Sequence, residues 1–162
     1  MKIYKPLLFF FIGQLIASFV FGTVFELLNF SYDYSSIFYL FLCISTAGHF
    51  IEENYYRIWI LESKIKSQYS GTPVKPHMDR SFFILFSHSL IVVSFLFYIP
   101  ISLNIFWSML FGLTFSIMQI SNGFAHIAIF LKYKQNTGSI SGGFQIIFGM
   151  LVLLSLFFPI KY

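Results

Sequence analysis

Charge is what this sequence has least of. Only 10% of its 162 residues are charged, and the acidic ones number six. A water-soluble domain of this size carries roughly 25% charged residues. With 57% hydrophobic residues, 24 phenylalanines and a mean hydropathy of +0.79, a solvated surface is excluded. Cysteine is nearly absent too. A lone Cys43 rules out an intrachain disulfide and reads as a small buried hydrophobe. Long polar or Pro/Gly-rich linkers are also missing, as is any internal repeat, so residues 1–162 read as one integral membrane domain. The net charge of +4 does not point to nucleic acid, because lysine and arginine in a membrane chain are topology signals first.

What is present is a series of apolar runs. A bilayer core takes about 20 apolar residues per helix. Five runs meet that length, at residues 6–28, 36–61, 80–101, 104–132 and 139–158. The expected fold is therefore all-α, a five-helix transmembrane bundle. The first run is longer than the apolar region of a secretory signal and no small-residue cleavage site follows it, so it is read as a span. Pro100 and Asn104 supply the turn between the third and fourth spans. Residues 62–80, with Ser70-Gly71, Pro73, Pro76 and His77, read as a solvated loop. With a cytoplasmic N-terminus, Lys2, Lys5, Lys64, Lys66, Lys75, Arg80, Lys132 and Lys134 fall inside and only Lys161 outside, so the C-terminus is expected outside. The partner implied is the lipid bilayer.

Against this background the segment GHFIEENYYR, residues 48–57, stands out. Each of Glu52, Glu53 and Arg57 costs up to about 3 kcal/mol at the centre of a spanning helix. The second span holds eleven Leu, Ile or Phe residues, each returning about 0.3–0.6 kcal/mol, so the sums nearly cancel and its charges need partners.

Depth, at about 1.5 Å per residue, supplies those partners. Gln14 on the first span, His49, Glu52 and Glu53 on the second, His88 on the third, Asn122 and His126 on the fourth and Gln145 on the fifth all fall about 9–18 Å from the same membrane surface. His49 with Glu52 and Glu53 is spaced i, i+3 and i+4, hence on one face. Gln119, Asn122 and His126 form a second stripe, and Gly142, Gln145 and Gly149 a third, whose small residues let helices approach closely. Glu26, near the outer end of the first span, lies apart from this layer.

Imidazole with carboxylate is a ligand set for Zn or Fe. The expected metal ligands are His49, Glu52, His88 and His126, with Asn122, Gln14 and Gln145 in support. Glu53 has two readings: a ligand or general base beside Glu52, or an i, i+4 ion pair with Arg57. The plain alternative for the whole set is hydrogen bonding that ties helices together.

The residues His49-Phe50-Ile51-Glu52-Glu53, followed by Asn122-x-x-x-His126 and then the turn at Tyr133 to Gly138, resemble the HXXEE-motif family of bacterial membrane proteins. That family's Pro-Gly turn is matched here only in its glycine, with Thr137 in the proline's place. The resemblance implies a compact multi-helix domain of the bacterial cytoplasmic membrane built around these residues, and it supplies no substrate. The first functional expectation is a metal-dependent membrane enzyme, hydrolase or oxidase, acting on a lipid or other amphiphile. The alternatives are a small proton- or ion-coupled transporter using the same residues, and a haem- or quinone-binding protein.

Overall fold

The structure is a computed structural model that describes residues 36–76 and 78–157, with nine isolated positions between 12 and 28. The described part is all-helical: α1 (Ser36–Tyr56), α2 (Ile58–Ser70), α3 (Arg80–Ser102), α4 (Phe106–Tyr133) and α5 (Ser139–Phe157). Among the described residues there are five helices and no strand. Two of them, α3 and α4, are long and apolar enough to cross a membrane, and the apolar run of α5 is shorter. The first expected span, with Gln14 and Glu26, lies outside the described residues apart from those isolated positions, which are helical as far as Leu27.

The helices are not a one-to-one match to the expected spans. The run 36–61 is broken at Arg57, whose backbone takes a left-handed conformation (φ 53, ψ 55). That conformation ends one helix and begins the next, since a left-handed residue cannot continue a right-handed ladder. The loop expected over 62–80 is helical as far as Ser70, where Gly71 (φ 68) closes α2 as a glycine C-cap. An i, i+4 ion pair, Glu62 to Lys66 at 2.5 Å, lies along this helix. The turn between α3 and α4 also shifts. Pro100 stays inside the last turn of α3, and the reversal is made at Leu103–Ile105 with Asn104 left-handed (φ 55). The carbonyl of Pro100 accepts from the Ile105 N–H at 3.0 Å, which helps close the turn.

Packing centres on α1, which touches each of the other four helices, while α5 lies along α4 and α1. An apolar core fills one end of this arrangement: Tyr39, Leu42 and Cys43 of α1 meet Leu90 of α3, Phe111 and Phe115 of α4 and Val152 of α5. The Tyr39 hydroxyl donates to the Ser94 carbonyl at 2.9 Å, so this buried phenol is satisfied. Ile58, Trp59 and Phe83 form a smaller cluster near the α1–α2 break. Polar residues of α1, α4 and α5 converge between these two clusters. The closest approach is at Gly123 and Gly142, where a Cβ on Gly142 would come within 3.3 Å of the Gly123 backbone and a Cβ on Gly123 would meet the Gly142 carbonyl oxygen. Small residues here set α4 against α5 and, with them, the spacing of everything the two helices carry.

Candidate functional site

Helix α1 presents His49 and Glu53 on one face, a turn apart, and α4 presents His126 opposite them. All three are buried, with His49 fully enclosed. Their ligand atoms lie within 4.8 Å of one another. Glu53 Oε1 sits 3.1 Å from His126 Nε2 and 3.5 Å from His49 Nε2. The two imidazoles meet edge to face with centroids 4.5 Å apart.

The far side of each ring is held by a hydroxyl. His49 Nδ1 is 2.9 Å from Ser141 Oγ, and His126 Nδ1 is 2.9 Å from Thr137 Oγ1. Ser141 in turn donates its hydroxyl to Glu52. With that proton committed, Ser141 Oγ accepts from the His49 Nδ1–H, which leaves a lone pair on His49 Nε2. Asn122 Nδ2 lies 2.8 Å from that nitrogen, in position to donate to it. Asn122 thereby takes the single lone pair of His49 Nε2, and an N–H on His126 Nε2 meets the Glu53 carboxylate 3.1 Å away; a cation at the trio would have to displace both donors. Behind it runs a short amide ladder: Asn122 Nδ2 to Gln145 Oε1 at 3.4 Å, and Gln145 Nε2 to Gln119 Oε1 at 2.7 Å.

The expected residues separate into those brought together and those not. His49 and His126 meet as anticipated, with Asn122 and Gln145 adjoining. Glu53 joins the two histidines. The Arg57 ion pair is not the arrangement seen, because Glu53 turns to the histidines and Arg57 is exposed at the helix break. Glu52 is not in the trio. Its carboxylate accepts from the backbone N–H of Ser141 at 3.0 Å and from Asn136 Nδ2 at 3.0 Å. Glu52 thus satisfies an orphan donor in the first turn of α5, where a negative charge is favoured. His88 stands apart as well. On α3 the buried positions are Phe83, Ser87, Leu90, Ser94 and Ile101, and His88 is rotated out of that stripe, exposed, with Nδ1 donating to the Ile84 carbonyl at 2.7 Å. Its depth matches the layer but its azimuth does not. Gln14 lies outside the described residues.

Four contributors were not anticipated as site residues: Asn136, Thr137, Gly138 and Ser141. The Asn136 side chain accepts from the N–H of Gly138 (3.1 Å) and of Ser139 (2.9 Å), a signature of helix entry. Gly138 has φ +113, and a Cβ there would lie 2.7 Å from His49 Cε1. Both its backbone angle and the imidazole beside it require glycine. Their signals in the sequence are the turn through Thr137 and Gly138 that the family resemblance includes, and a cluster of Asn, Thr, Gly and Ser before an apolar run.

A cavity of about 340 Å³ reaches the trio from one side. Glu53, His126, Asn122, Gln119 and Glu62 are its polar lining, and Phe50, Phe83, Phe86, Leu90 and Met118 are among its apolar walls. Compared with known protein families, curated proteins and solved structures, the chain has no match in any of the three.

Proposed function

We propose that this chain is a multi-pass membrane protein whose His49–Glu53–His126 trio holds a divalent transition metal, Zn or Fe, and that it acts as a metal-dependent enzyme on a lipid-like substrate. The observation that carries the reading is the two imidazoles with their Nε2 atoms turned to one carboxylate and their Nδ1 atoms each tied to a hydroxyl. Metal-ligating histidines are oriented in this way by outer partners. Two histidines and a carboxylate are three protein ligands, the number found in catalytic sites that keep a position open, whereas structural zinc sites are closed by four. Glu53 and His126 both line the cavity, so the open side faces a space a substrate can enter. A metal held there supplies Lewis acidity or activates a water. Asn122, also on the cavity wall, is placed to orient what binds.

Membrane insertion is supported by the apolar lengths of α3 and α4 and by large exposed apolar side chains such as Ile51, Leu96, Phe124 and Ile140 on four different helices. The N-in, C-out five-span topology and a place in the bacterial cytoplasmic membrane belong to the same proposal. So does membership of the HXXEE-motif family, whose HxxEE, NxxxH and glycine-turn elements are here the residues that meet at the trio. A haem bridging His49 and His126 fits less well, because their rings are in contact and Glu53 already lies between their Nε2 atoms.

The test is turnover. Metal-loaded protein in liposomes of mixed bacterial lipids, followed by mass spectrometry of the lipids, should yield a product that Glu53→Gln does not make. Proton or ion flux that persists in metal-stripped protein, with no lipid product, would overturn the enzyme reading in favour of a transporter.

A further inference from the structure

Hydrogen bonds around the trio run in one direction. As a carboxylate Glu52 only accepts, so Ser141 donates to it, and His49 Nδ1 donates to Ser141 at 2.9 Å. His49 Nε2 then accepts from Asn122 Nδ2 at 2.8 Å. The second N–H of Asn122 is left for Gln145 Oε1 at 3.4 Å, and Gln145 Nε2 donates to Gln119 Oε1 at 2.7 Å. The orientation of every amide in this ladder follows from the carboxylate at its start.

Two polar groups are left over at the other end. Gln119 Nε2 and Asn122 Oδ1 have no partner among the described residues, although Gln119 is only 2% exposed. Proteins rarely leave a buried amide unpaired without something to fill its place. Gln119 and Asn122 are three residues apart on α4, hence on one face, and both line the cavity beside the trio. Amide N–H donors and a carbonyl acceptor are thus open on a space whose other walls include Phe86, Leu90 and Met118.

Charge restricts the ligand further. Glu53 and Glu62 line the cavity, and no lysine or arginine is among the described residues that do. An anion is therefore disfavoured. Both carboxylates are already engaged, Glu53 by His126 at 3.1 Å and Glu62 by Lys66 at 2.5 Å, so a cation finds no spare counter-charge. The unused polar capacity is neutral.

We infer that the cavity binds an uncharged acyl amide, its carbonyl accepting from Gln119 Nε2, its N–H donating to Asn122 Oδ1 and its apolar chain lying among Phe86, Leu90 and Met118. Calling this ligand a substrate rests on the metal-dependent reading above; its binding rests on the cavity alone.

Matched ligands of one chain length test it, by equilibrium binding to the full chain in nanodiscs after chelator treatment, corrected for uptake by empty nanodiscs. The probes are a long-chain N-methyl amide, the methyl ester, which lacks the N–H, and the methyl ether, which also lacks the carbonyl. The amide should bind roughly tenfold more tightly than the ester, and the ester roughly tenfold more tightly than the ether, one hydrogen bond at each step. Asn122→Leu should remove the amide-over-ester preference, and Gln119→Leu the ester-over-ether preference. A substitution that only loosened the fold would weaken all three ligands alike. Gln119→Glu keeps the oxygen that Gln145 needs and should also lose the ester-over-ether preference, which covers a Gln119→Leu chain that fails to fold. Equal binding of the three ligands by the unmodified chain, or a preference that its substitution leaves untouched, would overturn the assignment. So would tighter binding of the matched fatty acid or alkylammonium. Amide binding with no turnover once zinc or iron is restored would count against the proposed enzyme and leave the ligand as stated.

Discussion

His49 and His126 meet edge to face with ring centroids 4.5 Å apart, each with its Nδ1 held by a hydroxyl and its Nε2 turned toward Glu53. The two rings come from different helices, α1 and α4, and the hydroxyls that orient them come from α5 and the turn before it. Three parts of the chain must therefore be in register before the trio exists.

The adjacent glutamates should separate cleanly on substitution. Glu53→Gln removes the anionic ligand and should abolish metal binding while the helices persist. Glu52→Gln keeps the trio but weakens the start of α5 and the Ser141 orientation of His49. It should cost about 1–2 kcal/mol of stability and roughly 10- to 100-fold in metal affinity. Metal titration of the two variants side by side checks this, and equal effects would contradict the division of roles.

Thr137→Ala and Ser141→Ala each remove a hydroxyl that fixes an imidazole. Each should lower metal affinity by roughly 10- to 100-fold with the ligands themselves intact. Thr137→Ser, which keeps the hydroxyl, should restore most of the loss. Competition against a chelating dye measures both.

Gly138→Ala combines a strained backbone with a methyl group 2.7 Å from the His49 ring. A loss of about 1–3 kcal/mol in stability is expected, together with weaker metal binding as the ring is displaced. Gly123→Val should act at a distance, because it forces α4 from α5 where their backbones touch and carries His126 with it; overpacking of this kind costs about 1–3 kcal/mol. Thermal unfolding in detergent, followed by metal titration, reads both effects.

His88→Ala should leave metal binding unchanged and shift stability by no more than about 0.5 kcal/mol. His88 also shows how far the sequence could be read. Counting residues from a span's end gives depth, and depth placed His88 in the polar layer. Only packing gives azimuth, and α3 turns Ser87 and Leu90 inward instead. The i, i+3, i+4 spacing of His49, Glu52 and Glu53 was legible as a shared face, but not that Glu53 would reach His126 while Glu52 closed the end of another helix. Hydroxyls such as Ser141 and Thr137 are common wherever a helix begins, and nothing local distinguishes one that orients an imidazole. The helix break at Arg57 was hidden for a similar reason. Its left-handed backbone occurs without a glycine or proline at that position, beside the cluster in which Ile58 and Trp59 of α2 pack with Phe83 and Phe50.

The central claim is that the trio is a metal site, and metal analysis of the detergent-purified protein tests it most directly. Stoichiometric zinc or iron is expected, lost in His49→Ala, Glu53→Gln and His126→Ala and retained in His88→Ala. Folded protein that carries no metal and takes up none when offered it would contradict the account.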